Sequence, residues 1–177
     1  MKRKLSILLI VLIFVAGIGI MSYPLVSSAI NNYVSRSMVK EYTNRVAQMP
    51  SEKTQKMFEE AAKYNNSLSN NMIITDPFDE KAFQKIGANY EKTLNVDDNG
   101  LIGYIDVPKI NVYLPIYHGT SAEVLNIAIG HLEGSTLPIG GDSTHAVLSA
   151  HRGLPSAKLF SDLDKLVVGD VFTVTVL

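Results

Sequence analysis

The sequence predicts a mainly β domain carried behind N-terminal helices, the first of which spans a membrane. Three observations predict it. An uncharged apolar run starts at Leu5, directly behind Lys2, Arg3 and Lys4, and ends at Met21. Apolar residues then recur at helical spacing as far as Tyr90. From Leu101 onward the pattern changes to strand alternation, broken by glycine and proline. The length of 177 residues suits one domain with appendages, and 46% hydrophobic with 19% charged residues is an ordinary composition for a chain that builds a core.

The first unit covers residues 1–23. Seventeen residues, with Ser6 the one hydroxyl among them, reach roughly 25 Å at about 1.5 Å each, and Ser22 with Tyr23 carries the span into the interface. The run from Leu5 to Met21 therefore reads as a single-pass transmembrane signal anchor, with a basic cytoplasmic tip and the rest of the chain exported. A cleaved secretory signal is the alternative, because Ser27, Ser28 and Ala29 are small. Pro24, Leu25 and Val26 make a poor polar region ahead of such a site, so the anchor is favoured.

Residues 24–71 read as a helical hairpin or stalk. Ile30, Val34, Met38, Tyr42, Val46 and Met49 fall at steps of four and three and predict one helix face. Pro50 interrupts, and Ser51 caps a second helix from residue 52 to about 65 with Met57, Phe58, Ala61 and Tyr64 inward. The polar run Asn65-Asn66-Ser67-Leu68-Ser69-Asn70-Asn71 is expected to close it as a loop. Residues 72–98 form a connecting segment. In it Asp76, Pro77 and Asp79 suit a helix N-terminus (cap, proline at the first helical position, acid in the first turn), and Phe83, Ile86 and Tyr90 mark a short helix.

Residues 99–177 are the β region. Asp97-Asp98-Asn99-Gly100 turns the chain into a strand over residues 101–107, which Pro108 ends. A second strand, residues 110–117, is interrupted at Pro115, a residue expected at an edge or bulge. A helical turn around residues 122–128 follows, then glycine-rich turns. His145-Ala146-Val147-Leu148 alternates as a half-buried strand, so His151 is expected at a strand end beside the loop of Gly153 and Pro155. Residues 156–166 read as a short helix with Leu159, Phe160 and Leu163 inward, and residues 171–177 as a strand that ends without turn or cap. Four or five strands in under 80 residues is a small β domain, and the chain reads as incomplete.

Composition excludes several chemistries. The formal net charge is −1, and no basic stretch interleaved with aromatics follows the N-terminus, which argues against nucleic acid as a partner. There is no cysteine, so neither a disulfide nor a thiolate of this chain is available. His118, His131, His145 and His151 lack the close spacing of helical zinc sites, and no metal or other cofactor is expected. The glycines fit neither a P-loop nor a dinucleotide fingerprint. On position alone, His151 is either a histidine held at a strand end by a satisfied hydrogen bond or a reactive group beside a loop.

Four stretches carry a resemblance that runs from the anchor to the last residue. Gly103-Tyr104-Ile105-Asp106-Val107-Pro108-Lys109-Ile110, Leu114-Pro115-Ile116-Tyr117-His118-Gly119-Thr120, Gly130-His131-Leu132-Glu133-Gly134-Ser135, and Ser149-Ala150-His151-Arg152-Gly153-Leu154-Pro155 with Leu159-Phe160-Ser161-Asp162-Leu163 resemble the class C sortases. These are the pilin-polymerising transpeptidases of Gram-positive bacteria. The resemblance implies an incomplete sortase-type β-barrel over residues 99–177, outside the cell membrane. It also implies a cysteine transpeptidase that cleaves LPxTG-like sorting signals and joins pilin or surface proteins in pilus assembly at the cell wall.

Residue by residue, the resemblance makes His151 the catalytic histidine and Asp76, Pro77 and Phe78 the lid over the active-site cleft. The family's T-L-x-T-C strand and the later arginine are absent here. Arg152 does not replace that arginine, because neighbouring strand residues point to opposite faces. The chain alone is therefore expected to be inactive. The alternative is a non-catalytic membrane-anchored extracellular binding module, or the product of a pseudogene.

Overall fold

The computed structural model describes residues 2–69 and 89–177. The lid residues Asp76, Pro77 and Phe78, and Phe83 and Ile86 of the expected connecting helix, lie outside the described residues.

A single helix, α1 (Lys2–Ala47), covers both the apolar run and the first half of the expected hairpin: it runs through Pro24 without interruption. Its N-terminal half is apolar enough to cross a membrane, with a mean hydropathy of 2.8 over the best window, and none of that window is covered by protein. The C-terminal half packs on the β domain through Ser35, Val39 and Tyr42, which are buried, with Met38 and Val46 half-buried. That face is rotated from the expected one. Ile30 and Val34 are 59% and 41% exposed, while Ser35, Val39 and Tyr42 take the buried positions.

Helix α2 (Ser51–Ser69) starts at Ser51 instead of being capped by it: the Pro50 carbonyl accepts hydrogen bonds from the amides of Lys53 and Thr54. Met57, Ala61, Tyr64 and Leu68 are buried as a helix spacing of three and four requires. The helix does not stop at Asn65. Asn65 is 5% exposed, donates from Nδ2 to the Leu137 carbonyl (3.1 Å) and accepts from the Leu137 amide (2.7 Å). Residues 65–69 of the polar run read as a loop are thus a helix end docked by one asparagine that mimics a strand partner.

The β domain is a five-stranded open sheet in the order β4-β3-β2-β1-β5. Strands β1 (Leu101–Val107) and β2 (Val112–His118) are antiparallel, joined by the 3-10 turn Pro108–Ile110. Strand β3 (Ile129–His131) runs parallel to β2 and was not expected from the sequence. Strand β4 (Leu148–Ser149) pairs antiparallel with β3, and β5 (Thr173–Thr175) with β1.

Two expectations are corrected and one is refined. Pro115 lies in β2, a strand with neighbours on both sides, but at Pro115 itself only Tyr104 of β1 is opposite, so it meets an open flank as expected, and the bulge of this ladder lies at Leu101 and Gly103. Proline is tolerated because β3 joins β2 only from Ile116, leaving no strand beside Pro115 on that flank. Residues 156–166 make turns and the 3-10 turn Leu163–Lys165 instead of a helix, with Leu159 buried but Leu163 44% exposed. The strands expected at residues 145–148 and 171–177 are shorter than their alternation suggested. Val171 and Phe172 remain 75% and 59% exposed.

The core joins both layers. Ala61, Tyr64 and Leu68 of α2 meet Ile102, Ile105, Leu114, Ile116 and Ile129 of the sheet, with Leu137, Ala157 and Leu159 closing it from the loops. Gly103 is where β5 approaches: a Cβ there would lie 2.4 Å from the Thr175 carbonyl oxygen.

Candidate active site

His151 lies two residues beyond β4, exposed, at the edge of the sheet. What holds it there is a folded loop. Its carbonyl accepts from the Phe160 amide (3.2 Å), and the Gly153 amide donates to Ser161 Oγ (3.1 Å). Gly153 has φ +81°, a backbone state in which a Cβ is costly, so the reversal after His151 requires glycine. Ala157 and Leu159 anchor the loop in the core at 1% and 3% exposure. Asp162 is clamped by Lys158 and Lys165, whose hydrogen bonds hold its carboxyl below the usual aspartate range. The imidazole is therefore presented from a fixed backbone to open solvent. That arrangement suits a proton donor or acceptor serving a group brought by another part of the chain or by a substrate.

The strand behind His151 is positioned by a buried polar cluster that sequence reading did not find. His131 is fully buried, with Nδ1 2.9 Å from the Tyr90 hydroxyl and Nε2 2.9 Å from the Thr136 carbonyl oxygen. A carbonyl only accepts, so Nε2 carries the proton and Nδ1 is an acceptor. Burial lowers the His131 pKa to about 4, which keeps the ring neutral. The Tyr90 oxygen accepts from the Gly119 amide (3.0 Å) and also lies 2.9 Å from the His131 carbonyl. Burial raises its own pKa.

Ser135 Oγ, 3.2 Å from His131 Nε2, accepts from the Val147 amide, while the Thr136 amide donates to the His145 carbonyl. The chain from His131 to β4 is tied at each step, and His151 inherits its place from it. The only sequence signal was a histidine among glycines, and partners 41 residues away cannot be read from spacing.

Arg152 and the other histidines each have a place of their own. Arg152 pairs with Asp164 (3.1 Å) on the surface. His118 is held on the far side of Tyr90, its Nε2 2.9 Å from the Thr93 carbonyl and its ring edge-on to Tyr90 at 4.7 Å. Burial lowers its pKa too. His145 is in the loop before β4, not on a strand shared with His151. Among the described residues no group of three or more histidine, aspartate or glutamate side chains is disposed to hold a metal ion.

Comparison with known proteins finds the same architecture. The family model described as "Sortase domain" matches residues 105–177. The crystal structure of sortase C1 from Streptococcus agalactiae superposes with a TM-score of 0.69 at 46% identity, covering 80% of this chain and 70% of that one. Sortase C from Streptococcus pneumoniae, whose structure bears on catalysis and pilin substrate specificity, superposes with a TM-score of 0.68 at 39% identity, covering 80% and 68%. Sortase D of Bacillus subtilis is 42% identical over 50 residues, which span 28% of this chain and only 24% of that protein.

Proposed function

The chain belongs to the sortase family, among the class C enzymes, and we propose that it serves as the membrane-anchored part of a cysteine transpeptidase that cleaves LPxTG-like sorting signals and joins pilin or surface proteins. The observation that carries this is His151, set at the open end of a sortase sheet on a loop whose backbone is fixed by Phe160 and Ser161.

In this reading a thiolate attacks the Thr-Gly carbonyl carbon, and His151 gives a proton to the departing glycine amine as the C–N bond breaks. The acyl group remains as a thioester until an amine, such as a pilin lysine, displaces the sulfur. The 177 residues contain no cysteine, so the nucleophile is not among them. Asp76, Pro77 and Phe78, outside the described residues, take the lid role that the resemblance assigns them. The N-terminal tip stays in the cytoplasm, because Lys2, Arg3 and Lys4 precede the apolar run, and the β domain faces outward.

The test is genetic and chemical. Deleting the coding gene removes high-mass covalent polymers of surface protein from the cell wall; the natural gene restores them, and a His151→Ala allele does not. Unchanged polymers after deletion, or full rescue by His151→Ala, overturns the proposal. A second reading rests on the cysteine count of zero: a non-catalytic module that binds sorting signals. It requires rescue by the His151→Ala allele and retention of an LPxTG-type peptide on the purified chain without cleavage.

A further inference from the structure

Helix α1 does more than carry the domain on a tether, because it is unbroken from the apolar run to the sheet. Its length converts residue number into depth. From Leu5 to Ser27 the helix rises about 33 Å, whereas the hydrocarbon core of a bilayer is about 30 Å thick and headgroups add several Å on each side. Ser27 therefore lies at headgroup level on the outer face. It does not lie there alone: Ser27 Oγ is 3.4 Å from the carbonyl oxygen of Pro155, in the loop that begins at His151.

Between the two runs a groove of about 280 Å³, lined by Ser27, Ile30, Val34, Met38, Ile127 and Ser156. Its rim is apolar and uncovered. Ile30, Val34 and Ile127 are 59%, 41% and 47% exposed, and Tyr23 and Tyr33 on the same helix are 57% and 76% exposed. Tyrosine at the end of a span suits the interface, where the ring is buried and the hydroxyl stays wet. Such a surface, continuous with the membrane-crossing segment, has the bilayer itself as its nearest apolar partner.

We propose that the Pro155–Ser156 turn and the lower end of this groove rest in the lipid headgroup layer, so that the domain lies on the bilayer and His151 works at its surface. This rests on the membrane-anchored reading of α1 and extends it from the helix to the active-site loop.

The absence of cysteine makes the test direct, since each introduced cysteine is a unique labelling site. The full chain is reconstituted into phosphatidylglycerol–phosphatidylcholine vesicles as four separate variants, Ile13→Cys, Pro155→Cys, Ser156→Cys and Gln48→Cys, each carrying an environment-sensitive fluorophore. Spin-labelled lipids with the quencher at the chain centre quench position 13. Those with the quencher at the headgroup quench positions 155 and 156, and neither kind quenches position 48, about 32 Å farther along the helix axis than Ser27. Quenching at 13 without quenching at 155 and 156 overturns the inference and leaves the anchor standing. No quenching at 13 overturns the anchor and the inference together. Two loop positions are labelled so that a local disturbance at one of them does not decide the result.

Discussion

His131 shows how one buried side chain can set the pH range in which the site is framed. Its folded pKa of about 4 lies below the unfolded value of about 6.5, so the unfolded chain binds the extra proton first as pH falls. Stability is full above about pH 6.5 and declines from there down to about 4, by up to about 3 kcal/mol from this group. His118, also lowered by burial, acts in the same direction. Glu133, raised by burial, opposes both, and Asp162 and Asp170, lowered by their lysine partners, add their losses only in the acid range of carboxylates. Urea unfolding of the chain in detergent at pH 7.5 and pH 5 should show the natural protein losing stability between them. The His131→Gln variant, less stable at pH 7.5, should lose clearly less. An equal loss in both would mean that His131 is not the sensor.

At the scale of elements, Gly103 decides whether β5 can pair. A Cβ at that position meets the Thr175 carbonyl oxygen at 2.4 Å and Val176 Cγ1 at 2.8 Å, and a backbone oxygen in a ladder cannot move aside cheaply. Gly103→Ala should therefore separate β5 from β1 and release the Leu177 amide from Tyr42 Oη, now 3.0 Å away. The expected cost is about 1–3 kcal/mol, as for overpacking of a filled site. Amide hydrogen exchange should quicken at Thr173 and Thr175 while β2 and β3 keep their protection. Unchanged exchange in β5 would show that the strand shifts to accommodate the methyl group. Glycine at 103 thus contributes by what it leaves out.

Among the described residues the unbroken α1 is the organising feature, because it joins a stretch apolar enough to cross a membrane to the surface that packs on the sheet. Tyr42 donates to the Ile102 carbonyl (2.9 Å), Arg45 pairs with Asp97 (2.8 Å), and Arg36 stacks over Tyr113 at 5.5 Å, so the helix is fixed to the sheet over several turns. A rigid connection transmits the orientation of the span to the domain. In intact cells, an external protease should remove epitopes placed after Tyr23 and spare one at the N-terminus. Protection of the C-terminal part with loss of the N-terminal epitope would reverse the proposed topology. Because α1 is helical throughout, cleavage should begin outside it, in loops such as residues 140–144, where Gly140, Gly141 and Ser143 all have positive φ.

Local chemistry by itself determined a helix apolar enough to cross a membrane, the helix after it, and strands β1 and β2; for His151 it gives only a place at a strand end beside a loop, and the catalytic role comes from the resemblance. An apolar run, a 3.6-residue period and a two-residue alternation are each set within a few neighbouring residues. The family resemblance came from the same local stretches, and the matched fold agrees with it. Only the tertiary structure decided which face of α1 is buried, that Asn65 docks the end of α2 against Leu137, and that β3 exists. It also decided that Tyr90 and His131 hold the approach to β4. These depend on partners from 13 residues apart (Ile116 and Ile129) to 72 (Asn65 and Leu137), brought together by packing. Pro115 is the plainest case: proline forbids one hydrogen bond, but whether a strand lies on that side is a property of the sheet.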